Sequence, residues 1–207
     1  MSLKTRLLGI LLATGVVVLP CAAAEDLDAA VSLYKERKLA EAVTALQEVA
    51  GEAAENVSDA YYYQVLSLAE LERVDEAQQA LDKGTEAGLA EDRQLVARGR
   101  IAMARKQNKD ALGLLDKAEK VNNKNPDVFY FRGLARAATN DYAAASKDLE
   151  QAVTLDPTDP YAHYYAGIAY SRIKRPDKMI DHFQTLIKLA PATPEAQKAQ
   201  SLLRSVR

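Results

Sequence analysis

The glycine at position 133 has counterparts 34 residues away on either side, Gly99 and Gly167. The same step joins Ala111 to Ala145, Leu115 to Leu149 to Phe183, Ala118 to Ala152, Pro157 to Pro191, and Pro126 to Pro160 to Pro194. One unit earlier stand Ala77, Leu81 and Gly84, and a more diverged unit carries Ala42, Leu46 and Val49, displaced by one residue. A period of this length means a chain that repeats one supersecondary unit and completes its core only by stacking neighbours. Five units cover about residues 24–191. Alanine, leucine, glutamate and lysine abound between the marker positions, and no long run alternates apolar with polar, so the repeated unit is helical and the chain all-α.

The first residues follow a different logic. Lys4 and Arg6 precede the apolar run 7–19, Pro20 breaks it, and Ala22 and Ala24 form an A-x-A arrangement before Glu25. This is the order of a secretory signal peptide, so residues 1–24 are expected to be cleaved after Ala24, leaving an exported protein, in the bacterial periplasm if the source is Gram-negative. The run is shorter than the roughly 20 apolar residues of a spanning helix, and no transmembrane segment is expected in the mature chain. The alternative is a lipoprotein that retains Cys21 as its lipidated first residue, although Pro20 stands where the lipoprotein motif wants a small residue. Cleavage would remove Lys4, Arg6 and Cys21, leaving an acidic chain without cysteine whose stability must come from packing.

The unit resembles the tetratricopeptide repeat: a small residue in the first helix, alanine and a large apolar residue in the second, and a closing proline. Residues 140–157, NDYAAASKDLEQAVTLDP, carry the second half of that pattern. The first helices depart from it. Leu95 stands where Tyr61, Phe129 and His163 hold the aromatic place, and Asn123 replaces the closing proline of the third unit. The resemblance implies an α-solenoid, a right-handed superhelix of about five helix–turn–helix repeats over residues 25–193, with residues 194–207 as a C-terminal capping helix. It also implies a non-catalytic scaffold or adaptor that holds a protein or peptide partner in the concave groove.

Physical chemistry supports the same spacing. Gly99, Gly133 and Gly167 let each first helix approach its partner closely, with Leu115, Leu149 and Phe183 expected to fill the seam between successive pairs. Asn125-Pro126, Asp159-Pro160 and Thr193-Pro194 each place a good N-cap before a proline at the first helical position. Little else carries chemistry. Basic and acidic residues number 27 and 29, which argues against a nucleic-acid partner. His163 and His182 are the two histidines, and neither brings the further ligands a metal site needs. No HExxH, CxxC, GxSxG or phosphate-binding glycine loop occurs, so no enzyme, cofactor or metal is expected.

The candidate site is the face that the first helices turn into the superhelix. The repeat step places Tyr62, Val96, Tyr130 and Tyr164 in one row and Leu66, Arg100, Leu134 and Ile168 in the next, with Asp59, Arg93, Asp127 and Tyr161 a turn earlier. Tyr and Arg are the side chains most enriched at binding hot spots. Tyr130 and Arg100 are expected to be at least half exposed, and Lys147 and Asp148 to lie on the outer face. Arg93 and Arg100 suggest a partner that is extended, partly apolar and acidic near its centre. The Lys and Asn of the family's clamp for C-terminal carboxylates are replaced by Tyr62, Leu66, Val96 and Arg100, so that activity does not carry over. A tyrosine-rich groove could also serve as a stacking platform for carbohydrate, or for an enzyme's substrate, as a lesser alternative.

Overall fold

A computed structural model describes residues 22–51 and 56–205. The expected signal peptide, its Cys21 alternative and the chain's last two residues therefore lie wholly or mainly outside the described residues. Among those described there are eleven helices and no strand: α1 (Ala22–Lys35), α2 (Leu39–Gly51), α3 (Val57–Glu70), α4 (Val74–Glu86), α5 (Glu91–Ala104), α6 (Asn108–Val121), α7 (Pro126–Ala138), α8 (Tyr142–Leu155), α9 (Pro160–Arg172), α10 (Pro176–Leu189) and α11 (Pro194–Ser205). They pack as five antiparallel pairs. The first helices also touch in sequence, α1 on α3, α3 on α5, α5 on α7 and α7 on α9, which makes them the inner layer of a solenoid. α11 packs on α9 and α10, in the place of the first helix of a sixth unit.

The glycines do what the spacing requires, against different neighbours from those expected. A Cβ on Gly133 would stand 2.6 Å from Leu149 Cγ, and one on Gly167 2.4 Å from a Phe183 ring carbon. On Gly99 the nearest atom would be Leu115 Cγ at 3.1 Å. Leu115, Leu149 and Phe183 thus plug the contact within each pair rather than the seam between pairs. The reason is helical direction: side chains lean toward the helix N-terminus, so the large residue of the returning helix lands on its own partner.

The turn inside each pair is also a repeat. Arg37, Glu72, Lys106, Asn140 and Lys174 all have positive φ, between 58° and 65°. In each case the next residue's N–H donates to the carbonyl five residues back, as in Lys106's turn, where Gln107 N reaches Ala102 O at 2.9 Å. This is a Schellman closure built without glycine. The step from Arg37 to Glu72 is one residue longer than the others, which accounts for the displaced first unit. Caps mark the helix starts read from sequence: Asn125 Oδ1 accepts from Asp127 N at 3.0 Å, Asp159 Oδ1 from Tyr161 N at 2.8 Å, and Thr193 Oγ1 from Ala196 N at 3.2 Å.

Candidate functional site

The N-terminal ends of α5, α7 and α9 converge on the concave side, and the end of α1 with its turn closes the space opposite them. Between them lies a cavity of about 490 Å³. Arg37 spans it. Held in the left-handed conformation at its turn, it sends its guanidinium to both carboxylate oxygens of Glu70, with Nη1 2.6 Å from Oε2, and stacks at 5.0 Å from the Tyr161 ring centroid. A residue of the first unit thereby meets one of the fifth.

The walls are tied together across repeats. Arg93 pairs with Asp59, one unit away, and lies 5.2 Å from the centroid of the Tyr62 ring. The Tyr62 hydroxyl donates to Asp127 Oδ2 at 2.6 Å. Asn122 and Asn125 both donate to Asp92 Oδ2, at 2.8 and 2.9 Å. Asp156 Oδ1 accepts from the backbone and hydroxyl of Thr158 at 3.0 and 2.7 Å. Burial raises the Asp127 carboxyl above the usual aspartate range despite its bond from Tyr62, and burial likewise raises Asp159 despite its helix cap. Burial pushes the phenols of Tyr63 and Tyr161 up to about 12, and those of Tyr34, Tyr62 and Tyr130 well above their ordinary value.

Of the residues placed in the groove from sequence, Arg93, Tyr130 and Tyr161 border this cavity. The others lie elsewhere. Tyr62, Leu66 and Val96 are core residues, each at most 1 % exposed. Leu134 packs half-buried against that core, Arg100 lies 6.0 Å from the Phe131 ring centroid, and Tyr164 and Ile168 pack with Phe183 near α11. Tyr130 is 9 % exposed, not half exposed. Both corrections have one cause: each first helix covers the middle of the next, so only their N-terminal turns reach open space. The row that faces the cavity is the earlier one, with Arg93, Asp127 and Tyr161.

Tyr34, Arg37, Asp92, Asp156 and Asp159 also border the cavity and were not anticipated. The available signal was recurrence outside the helices, since Asn122 and Asp156, like Asn125 and Asp159, are one repeat apart.

Two other polar clusters differ in kind. Asp148, expected on the outer face with exposed Lys147, is 4 % exposed and accepts from Arg132 Nε at 3.0 Å and Nη2 at 2.8 Å. Arg136 reaches it at 2.8 Å, while Asp116 and Glu119 take the remaining Arg132 nitrogen. Burial opposes the Arg132 charge, but these partners outweigh it and raise its pKa further. Near the C-terminus, His163 and His182 approach Nδ1 to Nδ1 at 3.2 Å, with His163 Nε2 on Pro157 O and His182 Nε2 on Glu150. Burial lowers the His163 pKa. It acts to raise Glu150, but hydrogen bonds from Lys178 and His182 prevail and hold that carboxyl low. Among the described residues no group of three or more His, Cys, Asp or Glu could hold a metal ion.

The family model described as TPR repeat matches residues 133–173, and that described as tetratricopeptide repeat matches 161–193. Over 98 residues the chain is 30% identical to cell division cycle protein 27 homolog A of Arabidopsis thaliana, which is 47% of this chain but spans only 14% of that relative. Among solved structures, a thermophilic TPR protein of Thermus thermophilus aligns with TM-score 0.69 at 20% identity, covering 88% of this chain and 99% of that one. YrrB, a TPR protein described as having an unusual peptide-binding site, aligns at 0.53 with 21% identity over 86% and 92% of the two chains. The first TPR of Spaghetti, bound to an HSP90 peptide, aligns at 0.54 with 18% identity over 56% and 93%. Five stacked helix pairs, the matched repeats and these structural likenesses agree: the chain carries tetratricopeptide repeats and has the all-α solenoid fold of tetratricopeptide-repeat proteins.

Proposed function

We propose that the protein is a non-catalytic scaffold that holds an extended segment of a partner polypeptide in the cavity between the α1 turn and the starts of α5, α7 and α9. The observation that carries this reading is a concave space of about 490 Å³ walled by tyrosine rings and fixed by bonds between repeats. A preformed site of this kind loses little conformational freedom when a partner enters. Solved proteins of the same fold, YrrB and Spaghetti among them, bind peptides according to their descriptions. The work is placed outside the cytoplasm, after cleavage following Ala24, on the strength of the basic start, the short apolar run and the A-x-A site. The N-terminal mass of the purified protein checks that placement, and an intact Met1 or a lipidated Cys21 would overturn it.

A photo-crosslinking amino acid at Thr158, exposed on the cavity rim, tests the groove against the same probe at Lys147 on the outer surface. Crosslinks to a partner from position 158 alone are expected. Crosslinks from 147 alone would move the binding surface to the convex side.

A further inference from the structure

The cavity is electrostatically incomplete. Asp92, Asp127, Asp156 and Asp159 border it, and none of the four makes an ion pair among the described residues. The two arginines on its wall are already committed, Arg37 to Glu70 and Arg93 to Asp59. Lys35 stands on the rim beside Glu36, which pairs with Lys38, so among the described residues one uncommitted cation faces four unpaired carboxylates. Asp127 uses Oδ2 for Tyr62 and Asp156 uses Oδ1 for Thr158; the other oxygen of each has no hydrogen-bond partner among the described residues.

An acidic cluster at helix N-termini is ordinary capping chemistry, but capping does not account for the tyrosines. Tyr130 and Tyr161 are 9 % and 8 % exposed, both border the cavity, and neither hydroxyl has a hydrogen-bond partner among the described residues. Neither oxygen is sealed off, since the one fully buried side-chain polar atom without a partner among the described residues is Gln64 Oε1, so both hydroxyls stay open to bond with what fills the cavity. The chain itself shows what these rings accept, since Arg37 lies over Tyr161 and Arg93 over Tyr62. The rings of Tyr34, Tyr63 and Tyr130 border the same space with no cation stacked on them among the described residues.

From this juxtaposition, and resting on the reading of the groove as a polypeptide-binding site, we propose that the cavity receives a basic side chain, lysine or arginine, of an extended partner segment. Asp127 and Asp156 supply the opposite charge, and the tyrosine rings on the wall supply cation–π contact. This reverses the acidic partner suggested by Arg93 and Arg100, whose positive charge is respectively paired within the wall and held over Phe131, away from the cavity.

The test pans a phage-displayed library of random linear peptides against the purified protein and follows a selected peptide by fluorescence anisotropy. Enrichment of lysine or arginine is expected. Replacing that residue by alanine in the peptide, or combining Asp127→Asn with Asp156→Asn in the protein, should each weaken binding about tenfold, the size of one charged hydrogen bond. Added salt should weaken the wild type more than the double variant. Asparagine keeps the acceptor for Tyr62 and Thr158, and a thermal melt followed by circular dichroism confirms that the variant is folded. Selected peptides with no basic enrichment, still lost on blocking the groove with Thr158→Trp, would overturn this inference and leave the groove reading standing. Peptides insensitive to Thr158→Trp, or none above background, would overturn both.

Discussion

The outer cluster around Arg132 and the inner cluster around Asp127 contain the same chemistry arranged to opposite ends. On the outer side Arg132 is 6 % exposed, and its three guanidinium nitrogens are shared among Asp148, Asp116 and Glu119, with Arg136 completing Asp148. Every guanidinium nitrogen of Arg132 and both oxygens of the buried Asp148 are taken. On the concave side the carboxylates are turned toward a cavity, and the nearby arginines are spent elsewhere. Closed charge networks fix how helices sit, whereas open ones tax the fold and are kept where a ligand completes them.

Breaking the closed network should produce the largest effect. Arg132→Met leaves Asp148 buried with Arg136 as its remaining cation, and should cost about 3 kcal/mol in urea unfolding, the lower end for a broken buried pair. Adding Asp148→Leu to Arg132→Met should restore most of the loss, because the cost lies in the stranded charge. A single variant as stable as wild type would show that the outer network contributes little and would erase the contrast.

How much of this could be read from the sequence follows from where the constraints are local. The helix pairs, the glycine contacts and the caps at Asn125, Asp159 and Thr193 were legible, because period and short-range bonding determine them. The partners of Leu149 and the burial of Tyr62, Val96 and Tyr130 were not. Both depend on how far one helix overlaps the next, which a repeat step does not encode. Asp148 was misplaced for a related reason: a charge reads as solvated until its partner is known, and Arg132 lies 16 positions away on the preceding helix. The αL turns were hidden because only Asn140 among the five is a residue that favours that conformation.

Those turns sharpen the comparison at the next level of energy. Lys106 and Arg37 share the left-handed backbone, with φ of 61° and 64°, but only Arg37 reaches across the cavity. Lys106→Gly should stabilise the protein by about 0.5 kcal/mol, relief of αL strain less the added entropy of the unfolded chain. Arg37→Gly gains the same relief but loses the Glu70 pair and the Tyr161 stack, so it should come out destabilised by about 1 kcal/mol. Equal Tm shifts in the same direction would show that the Arg37 bridge has no energetic weight.

The smallest effect concerns the sign of the Asp127 charge itself. Burial raises this carboxyl's pKa in the folded state above its value in the unfolded chain. The folded protein therefore holds the Asp127 proton more tightly, and the linked stability is fully present below the unfolded pKa, near 4 for an aspartate, and is lost as pH rises through the folded pKa. At neutral pH the charge is a net burden, reduced because the side chain keeps some contact with solvent. Asp127→Asn retains the acceptor for Tyr62 and sheds the charge, so it should unfold slightly later than wild type at pH 7, by under about 0.5 kcal/mol. The advantage should shrink as pH falls and vanish below about 4, where the wild-type carboxyl is protonated as well. A variant less stable than wild type at pH 7 would mean that the cavity already satisfies its carboxylates, and the concave side would then be as closed as the convex one.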